Sequence, residues 1–310
     1  MRPDAITLRQ LRALIAVSRF GSMTGAAAEL GLTVPAIHSQ IKGLETALAC
    51  QVVRRKADNA GSSLTDEGKT VLHAATRIEG ILSQCATEVG AISRGLTGRV
   101  MLGVVSTGKY FAPWLVKMLR DIAPGIEIVL RIGNRDSIVS GLDLGTLDLA
   151  IMGRPPRHPI VEADPLGPHP HGLLVAPDHP LASAEVADVD RLLDQVFLTR
   201  EEGSGTRILM TRYLDRIGEG SVIAFLEMES NETIKQAAMA GLGVAFLSLH
   251  TVTDEVARGR LVPLKAPGLP MTRQWYLVQP VAKDTRAVVD QCRQHILDLR
   301  GSYFPKLDAH

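Results

Sequence analysis

Between Leu8 and Leu44 the apolar residues fall at helical spacing but are cut by glycine at positions 21 and 31, so only short helices fit this stretch. Leu8, Leu11, Leu14 and Ile15 form one stripe, which ends near Gly21. Ser22 can cap a second helix through Ala26, Ala27 and Leu30, and Gly31 breaks it. Thr33 is a good N-cap for a third helix, and Pro35 is tolerated in its first turn because the missing N–H would lack an intrahelical acceptor anyway. Ile37, Ile41 and Leu44 line its buried face. Two helices joined by a tight glycine-containing turn, the second polar on its outer side, form a helix-turn-helix layout.

The pattern then changes twice. From Val71 the apolar positions run Val71, Ala75, Ile78, Leu82, Cys85, Val89 and Ile92, a heptad seam sustained over about three heptads. Such a seam predicts a paired helix and hence a dimer; the small Ala75 and Cys85 leave open that it packs on its own domain. Arg94, Gly95, Gly98 and Arg99 mark a hinge. Beyond it, short buried strands are predicted at 100–105, 126–132, 147–152, 172–176, 195–198, 222–228, 244–249 and 274–278, with amphipathic stretches such as 112–122, 206–217 and 232–240 between several of them. Strands alternating with helices argue an α/β arrangement. A chain of 310 residues also exceeds what one core usually serves.

Charge is unevenly placed. The whole chain carries +1, yet residues 1–60 hold eight lysines and arginines against four acids, a local +4 that suits a polyanion held by one end; chance unevenness in a small segment would look the same. The three cysteines, Cys50, Cys85 and Cys292, are widely spaced without a CxxC, so no disulfide framework, zinc site or cofactor is expected and a reducing cytoplasm fits. Met1-Arg2-Pro3-Asp4 leads straight into the amphipathic pattern, and no run approaches about 18 apolar residues, so neither an export signal nor a membrane span is expected.

Ala26, Ala27, Leu30, Leu32, Thr33, Pro35, Ala36, Gln40, Ile41, Leu44 and Glu45 resemble the LysR family in register, and Leu64-Thr65-Asp66-Glu67-Gly68 resembles its approach to the linker helix. Farther on, the chain is most similar to the activators of RuBisCO operons. The stretches that carry this are Val105-Ser106-Thr107 with Lys109 to Pro113, Gly133-Asn134-Arg135, Leu198 to Glu201 with Gly203 to Arg207, Ser230 to Gln236 and Arg273-Gln274-Trp275. The resemblance implies an N-terminal all-α winged helix-turn-helix at 1–65, a linker helix at 66–93 and an α/β effector domain at 94–310. That last domain is two-lobed and periplasmic-binding-protein-like, with lobe I at 94–168 and 273–310 and lobe II at 169–272. It further implies a homodimer or homotetramer, double-stranded DNA and RNA polymerase as partners, and carbon-fixation genes as targets.

Two sites follow. Thr33, Pro35, Ala36, His38, Ser39 and Lys42 are expected on the DNA-reading face, with Arg54, Arg55 and Lys56 as the wing. The chain departs from its family at Val34, Ser39, Val53 and Ala49, where glutamine, arginine, phenylalanine and glycine are usual. His38 either replaces part of the lost readout or lies near phosphate without specificity. For the effector, Gly203-Ser204-Gly205-Thr206 precedes a helix, whose first N–H groups suit an anion. Arg200 and Arg207 stand beside it, and by resemblance Lys109 and Arg135 follow strands of the other lobe. Ser106, Thr107, Asn134, Ser204, Thr206 and Asn231 complete the expected contacts to a small anionic metabolite, such as a sugar phosphate.

Competing chemistry is thin. Glu202-Gly203-Ser204-Gly205 is not a nucleophile elbow, because glutamate stands at its first position. His169 and His171, with His158 and His179, could bind a metal but lack a carboxylate or cysteine at ligand spacing. The alternatives are a LysR-type regulator of aromatic or carboxylate catabolism and, from a different class, a two-lobed solute-binding protein or enzyme.

Overall fold

The computed structural model describes residues 2–55, 61–93, 98–218, 220–281 and 286–306. Two compact units result, one of Met1–Thr87 with Leu144–Thr146, the other of Glu88–Asp143 with Leu147–His310. Among the described residues no helix is long and apolar enough to cross a membrane.

The first unit contains α1 (Leu8–Phe20), α2 (Met23–Leu30), α3 (Val34–Leu48), a hairpin of β1 (Val53–Arg55) and β2 (Ser62–Leu64), and the start of α4 (Asp66–Ser93). Each short helix starts on a hydroxyl: Thr7 accepts from Gln10 N–H at 3.3 Å, Ser22 from Gly25 N–H at 3.0 Å and Thr33 from Ala36 N–H at 3.3 Å. α1 and α2 end on left-handed glycines, Gly21 at φ 65° and Gly31 at φ 62°, whereas α3 ends on the left-handed Ala49 at φ 55°. Leu14, Val17, Ala27, Ile37, Ile41, Leu44 and Val52 form the core. Val71, Leu72 and Ala75 of α4 pack into that same core, so the start of the heptad seam serves its own domain. From Ile78 onward the seam is exposed, at 38% for Ile78, 38% for Leu82 and 62% for Val89, with Ile81 beside it at 58%. The side chain of Ile92 and the hinge at Arg94 and Gly95 lie outside the described residues.

The second unit is built on one nine-stranded sheet. Its strands are β3 (Gly98–Val105), β4 (Ile126–Gly133), β5 (Leu149–Met152), β6 (Val161–Val175), β7 (Val196–Arg200), β8 (Ala224–Met228), β9 (Val244–Ser248), β10 (Val262–Pro263) and β11 (Met271–Pro280). The helices are α5 (Ala112–Ile122), α6 (Arg135–Asp143), α7 (Val189–Leu193), α8 (Gly205–Gly218), α9 (Asn231–Met239), α10 (Thr253–Ala257) and α11 (Ala287–Asp298). In the order β4-β3-β5-β11-β6-β9-β7-β8, with β10 beside β6, parallel strands of two lobes flank a central antiparallel ribbon of β6 and β11. Four of the apolar cores sit on this sheet, led by Phe111 and Trp275, by Ile138 and Met152, by Phe197 and Tyr213, and by Ile234 and Leu247. Two cores thus serve each lobe, although the edge strand β8 of lobe II is largely exposed.

The ribbon is much longer than the strands predicted at 172–176 and 274–278. Pro165, Pro168 and Pro170 interrupt any strand signal along β6, since proline cannot donate to a ladder. The ladder accommodates them with an irregularity between Trp275 and Tyr276, where Gly167 takes φ 149° against the ring of Phe304.

Candidate functional site

A cavity opens between the lobes at the carboxyl ends of their parallel strands, where open α/β sheets place ligands. Lobe I supplies Val105, Ser106 and Thr107 after β3, Asn134 and Arg135 after β4, and Gly153 and Arg154 after β5. Lobe II supplies Arg200, Ser204, Gly205, Thr206, Ile208, Leu209 and Arg212. The ribbon closes the floor with His169, His171 and Arg273. Gly203 adopts φ 82°, and an added Cβ there would stand 2.6 Å from Asp136 Oδ2 of the other lobe, so the turn before α8 admits only glycine without a shift. α8 then opens at Gly205, leaving its first N–H groups without intrahelical acceptors.

Among the described residues, five arginines line the cavity and no aspartate or glutamate does. Arg200 is only 4% exposed and is held from behind: Nε and Nη2 donate to Glu201 at 2.6 and 2.7 Å, and Nη1 donates to Asn231 Oδ1. Arg135 donates to the carbonyl oxygens of Arg154 at 2.5 Å and Pro155 at 3.3 Å. Burial, and next the charge of Arg154, hold its pKa below the ordinary arginine value against the opposing pull of Asp136. Arg154, Arg212 and Arg273 have no ion-pair partner among the described residues. Thr107, Ser204 and Thr206 bring buried hydroxyls to the same space.

Of the effector residues expected from sequence, Ser106, Thr107, Asn134, Arg135, Arg200, Ser204 and Thr206 converge here. Lys109 does not. The turn Ser106–Tyr110 sends Ser106 and Thr107 to the cavity but Lys109 and Tyr110 to Glu232 of lobe II, with which both bond. Arg207 is also turned away, to the Glu227 carboxylate and the Arg200 carbonyl. Asn231 stands behind Arg200 rather than at the cavity wall. The expected quartet of cations is thus replaced by Arg135, Arg154, Arg200, Arg212 and Arg273. Arg273 was legible only as part of the Arg273-Gln274-Trp275 resemblance, Arg154 only as a residue beyond a strand end and Arg212 only as part of the amphipathic stretch 206–217. His169 and His171 belong to this wall; among the described residues no cluster of three or more His, Cys, Asp or Glu is placed to hold a metal ion.

In the first unit, Thr33, Pro35, His38, Ser39 and Lys42 are exposed and Ala36 half-buried, while Ile37, Ile41 and Leu44 point inward. The hairpin behind α3 is tied by Glu45 Oε1, which accepts from Val52 N–H at 3.0 Å and Val53 N–H at 3.3 Å. Arg54 is exposed and donates to Ser63 at 3.4 Å. Arg55 lies on β1 opposite Ser62. The side chain of Arg55 and all of Lys56 lie outside the described residues.

Comparison with known proteins decides between the readings. Residues 8–69 match the bacterial regulatory helix-turn-helix family of LysR type, and residues 93–300 match the LysR substrate binding domain. The chain belongs to the LysR family of transcriptional regulators. It is 55% identical over 309 residues to the HTH-type transcriptional regulator CbbR of Cereibacter sphaeroides, covering 100% of both chains. The RuBisCO operon transcriptional regulator of Allochromatium vinosum is 36% identical over 292 residues, covering 94% of this chain and 96% of that one. The regulatory domain of Synechocystis CcmR in complex with 2-PG superposes with a TM-score of 0.61 at 32% identity, over 65% of this chain and 97% of that one. The LysR regulator CbnR has the same fold, with a TM-score of 0.68 at 20% identity over 94% and 98% of the two chains.

The cleft presents cations and hydroxyls, with His169 and His171 in its floor. Two of the chain's departures from the LysR pattern, Val34 and Ser39, lie exposed on α3, and Ala49 takes the left-handed geometry that the usual glycine would adopt freely.

Proposed function

We propose that this LysR-family chain regulates RuBisCO-operon genes in response to a small phosphorylated metabolite held in the inter-lobe cleft. The observation that carries the reading is a cavity lined, among the described residues, by five arginines and no aspartate or glutamate. Guanidinium forks match the geometry of phosphate and carboxylate, and hydrogen bonds to charged partners are among the strongest available. The high identity to RuBisCO-operon regulators and the likeness to a regulatory domain bound to 2-PG support the same assignment.

Thr33, Pro35, Ala36, His38, Ser39 and Lys42 form the DNA-reading face in this proposal, and Arg54, Arg55 and Lys56 contact phosphates. Paired α4 helices join two such faces into a homodimer, or a homotetramer of two dimers, and RNA polymerase is the downstream partner. Effector binding shifts the angle between lobes only by its differential affinity for the open and closed cleft.

Calorimetry with 2-phosphoglycolate, carboxylates and neutral aromatics tests the effector, and gel shifts on a RuBisCO promoter over a salt series test the DNA face. Anion binding, with DNA affinity falling at a log-log slope of about −0.9 per phosphate neutralised, is the expected result. Binding confined to neutral aromatics, or no preference for the promoter over random DNA, would sink the proposal.

A further inference from the structure

The floor of the cleft holds a histidine that anion recognition by arginine leaves unused. His169 and His171 line the cavity from β6, and His250 lies behind them near Trp275. Two of the three have evident partners. His171 Nδ1 is 3.1 Å from the carbonyl oxygen of His169, and His250 Nδ1 accepts the indole N–H of Trp275 at 3.2 Å. His169 differs: it is 4% exposed, its ring stacks on Trp275 at 3.7 Å and 15°, and neither Nδ1 nor Nε2 has a hydrogen-bond partner among the described residues. Its Nδ1 packs on Gly153, where an added Cβ would stand 3.1 Å away. Buried ring nitrogens are normally paired, and those of His169, a residue of the cavity wall, have no partner in that wall.

The charges around the ring give the interaction a direction. His171 on the same strand, His250 on the turn before α10 and Arg273 on β11 face it, and Arg154 follows Gly153. All are neutral or cationic. Burial first, then these neighbours, keep the pKa of His169 well below the ordinary histidine value, so the ring is neutral at pH 7. An anion beside it opposes the field of these cations and favours the imidazolium form.

We propose that His169 is a ligand-contacting residue that takes up a proton as the anionic effector enters, making effector binding dependent on pH. This rests on the anion-binding reading above and adds to it the residue through which the ribbon between the lobes senses the ligand. Linkage to one proton tightens binding by at most about tenfold per pH unit as pH falls from the pKa of the bound form toward that of the free form. The arginines add no such slope, because a guanidinium stays charged throughout this range.

The test is calorimetry of the full chain with sulfate and with 2-phosphoglycolate between pH 6 and 8, each in two buffers of different ionisation enthalpy, for wild type and His169→Gln. Comparing the two proteins cancels protons exchanged by the ligand itself. Wild type is expected to take up more protons on binding than His169→Gln and to show the steeper rise in affinity toward pH 6. In wild type alone, the ring resonances of His169 should shift toward the imidazolium position on saturation with either anion, a readout that does not depend on the variant folding. Equal proton uptake in the two proteins, or ring resonances unmoved by saturating anion, would overturn the inference while leaving the anion reading intact. Failure of both anions to bind would overturn the two together.

Discussion

Arg200 and Glu201 are adjacent in sequence yet face each other across two parallel hydrogen bonds, at 2.6 and 2.7 Å. The carboxylate occupies one edge of the guanidinium, and Asn231 takes part of the other, so Arg200 is aimed rather than neutralised in open water. Arg207, seven residues on, is committed to Glu227 outside the cavity wall. Arg200→Ala should therefore weaken 2-phosphoglycolate binding by about 10- to 100-fold, the range for losing a charged hydrogen bond. Arg207→Ala should change it by less than about threefold. Calorimetry on the two single variants checks this, and equal losses would refute the assignment of their roles.

The buried histidines set a pH limit on the effector unit. Burial depresses the pKa of His171 and of His250 to about 4, below the unfolded value near 6.5. Between those values the unfolded chain binds more protons than the folded one. Stability is accordingly complete above about pH 6.5 and is lost as pH falls toward 4, by on the order of 3 kcal/mol for each residue. Both tryptophans, Trp114 and Trp275, lie in this unit, so urea unfolding followed by their fluorescence isolates its transition. A midpoint unchanged between pH 7 and pH 5 would contradict the assignment.

Exposed apolar residues on α4 predict the assembly. Ile78, Ile81 and Leu82 project from the helix after its first turns have been absorbed into the helix-turn-helix core. Leu82→Lys should place an unpaired charge in a helix pairing surface and shift the chain to smaller species, because a buried lone charge costs several kcal/mol. Analytical ultracentrifugation reads this directly, and an unchanged oligomer would remove α4 as the pairing surface.

Ala49 predicts a gain rather than a loss. A left-handed backbone at φ 55° costs a residue with a Cβ about 1 kcal/mol relative to glycine. Ala49→Gly should raise hydrogen-exchange protection of α3 amides by roughly fivefold, the equivalent of that energy. Lower protection would show that Ala49 earns its place through packing.

Local rules made much of the chain legible from its sequence. Ser22 and Thr33 cap their helices and Gly21 and Gly31 stop them because capping and left-handed geometry depend on nearest neighbours, and Ile37, Ile41 and Leu44 face inward because helical period is a local property. The turn Gly203 to Thr206 was readable for the same reason. Contacts across the sheet were not. That Arg207 turns to Glu227 depends on β8 pairing beside β7, and that Lys109 turns to Glu232 and that Arg154, Arg212, Arg273 and His169 meet in one cavity depend on how β6 and β11 pair over ten residues through three prolines, which no local pattern encodes. The sequence by itself determined the helices of the first unit, the caps at Ser22 and Thr33, and the family. Only the tertiary structure decided which cations share the cleft, because the direction of a side chain at a strand end is set by long-range register.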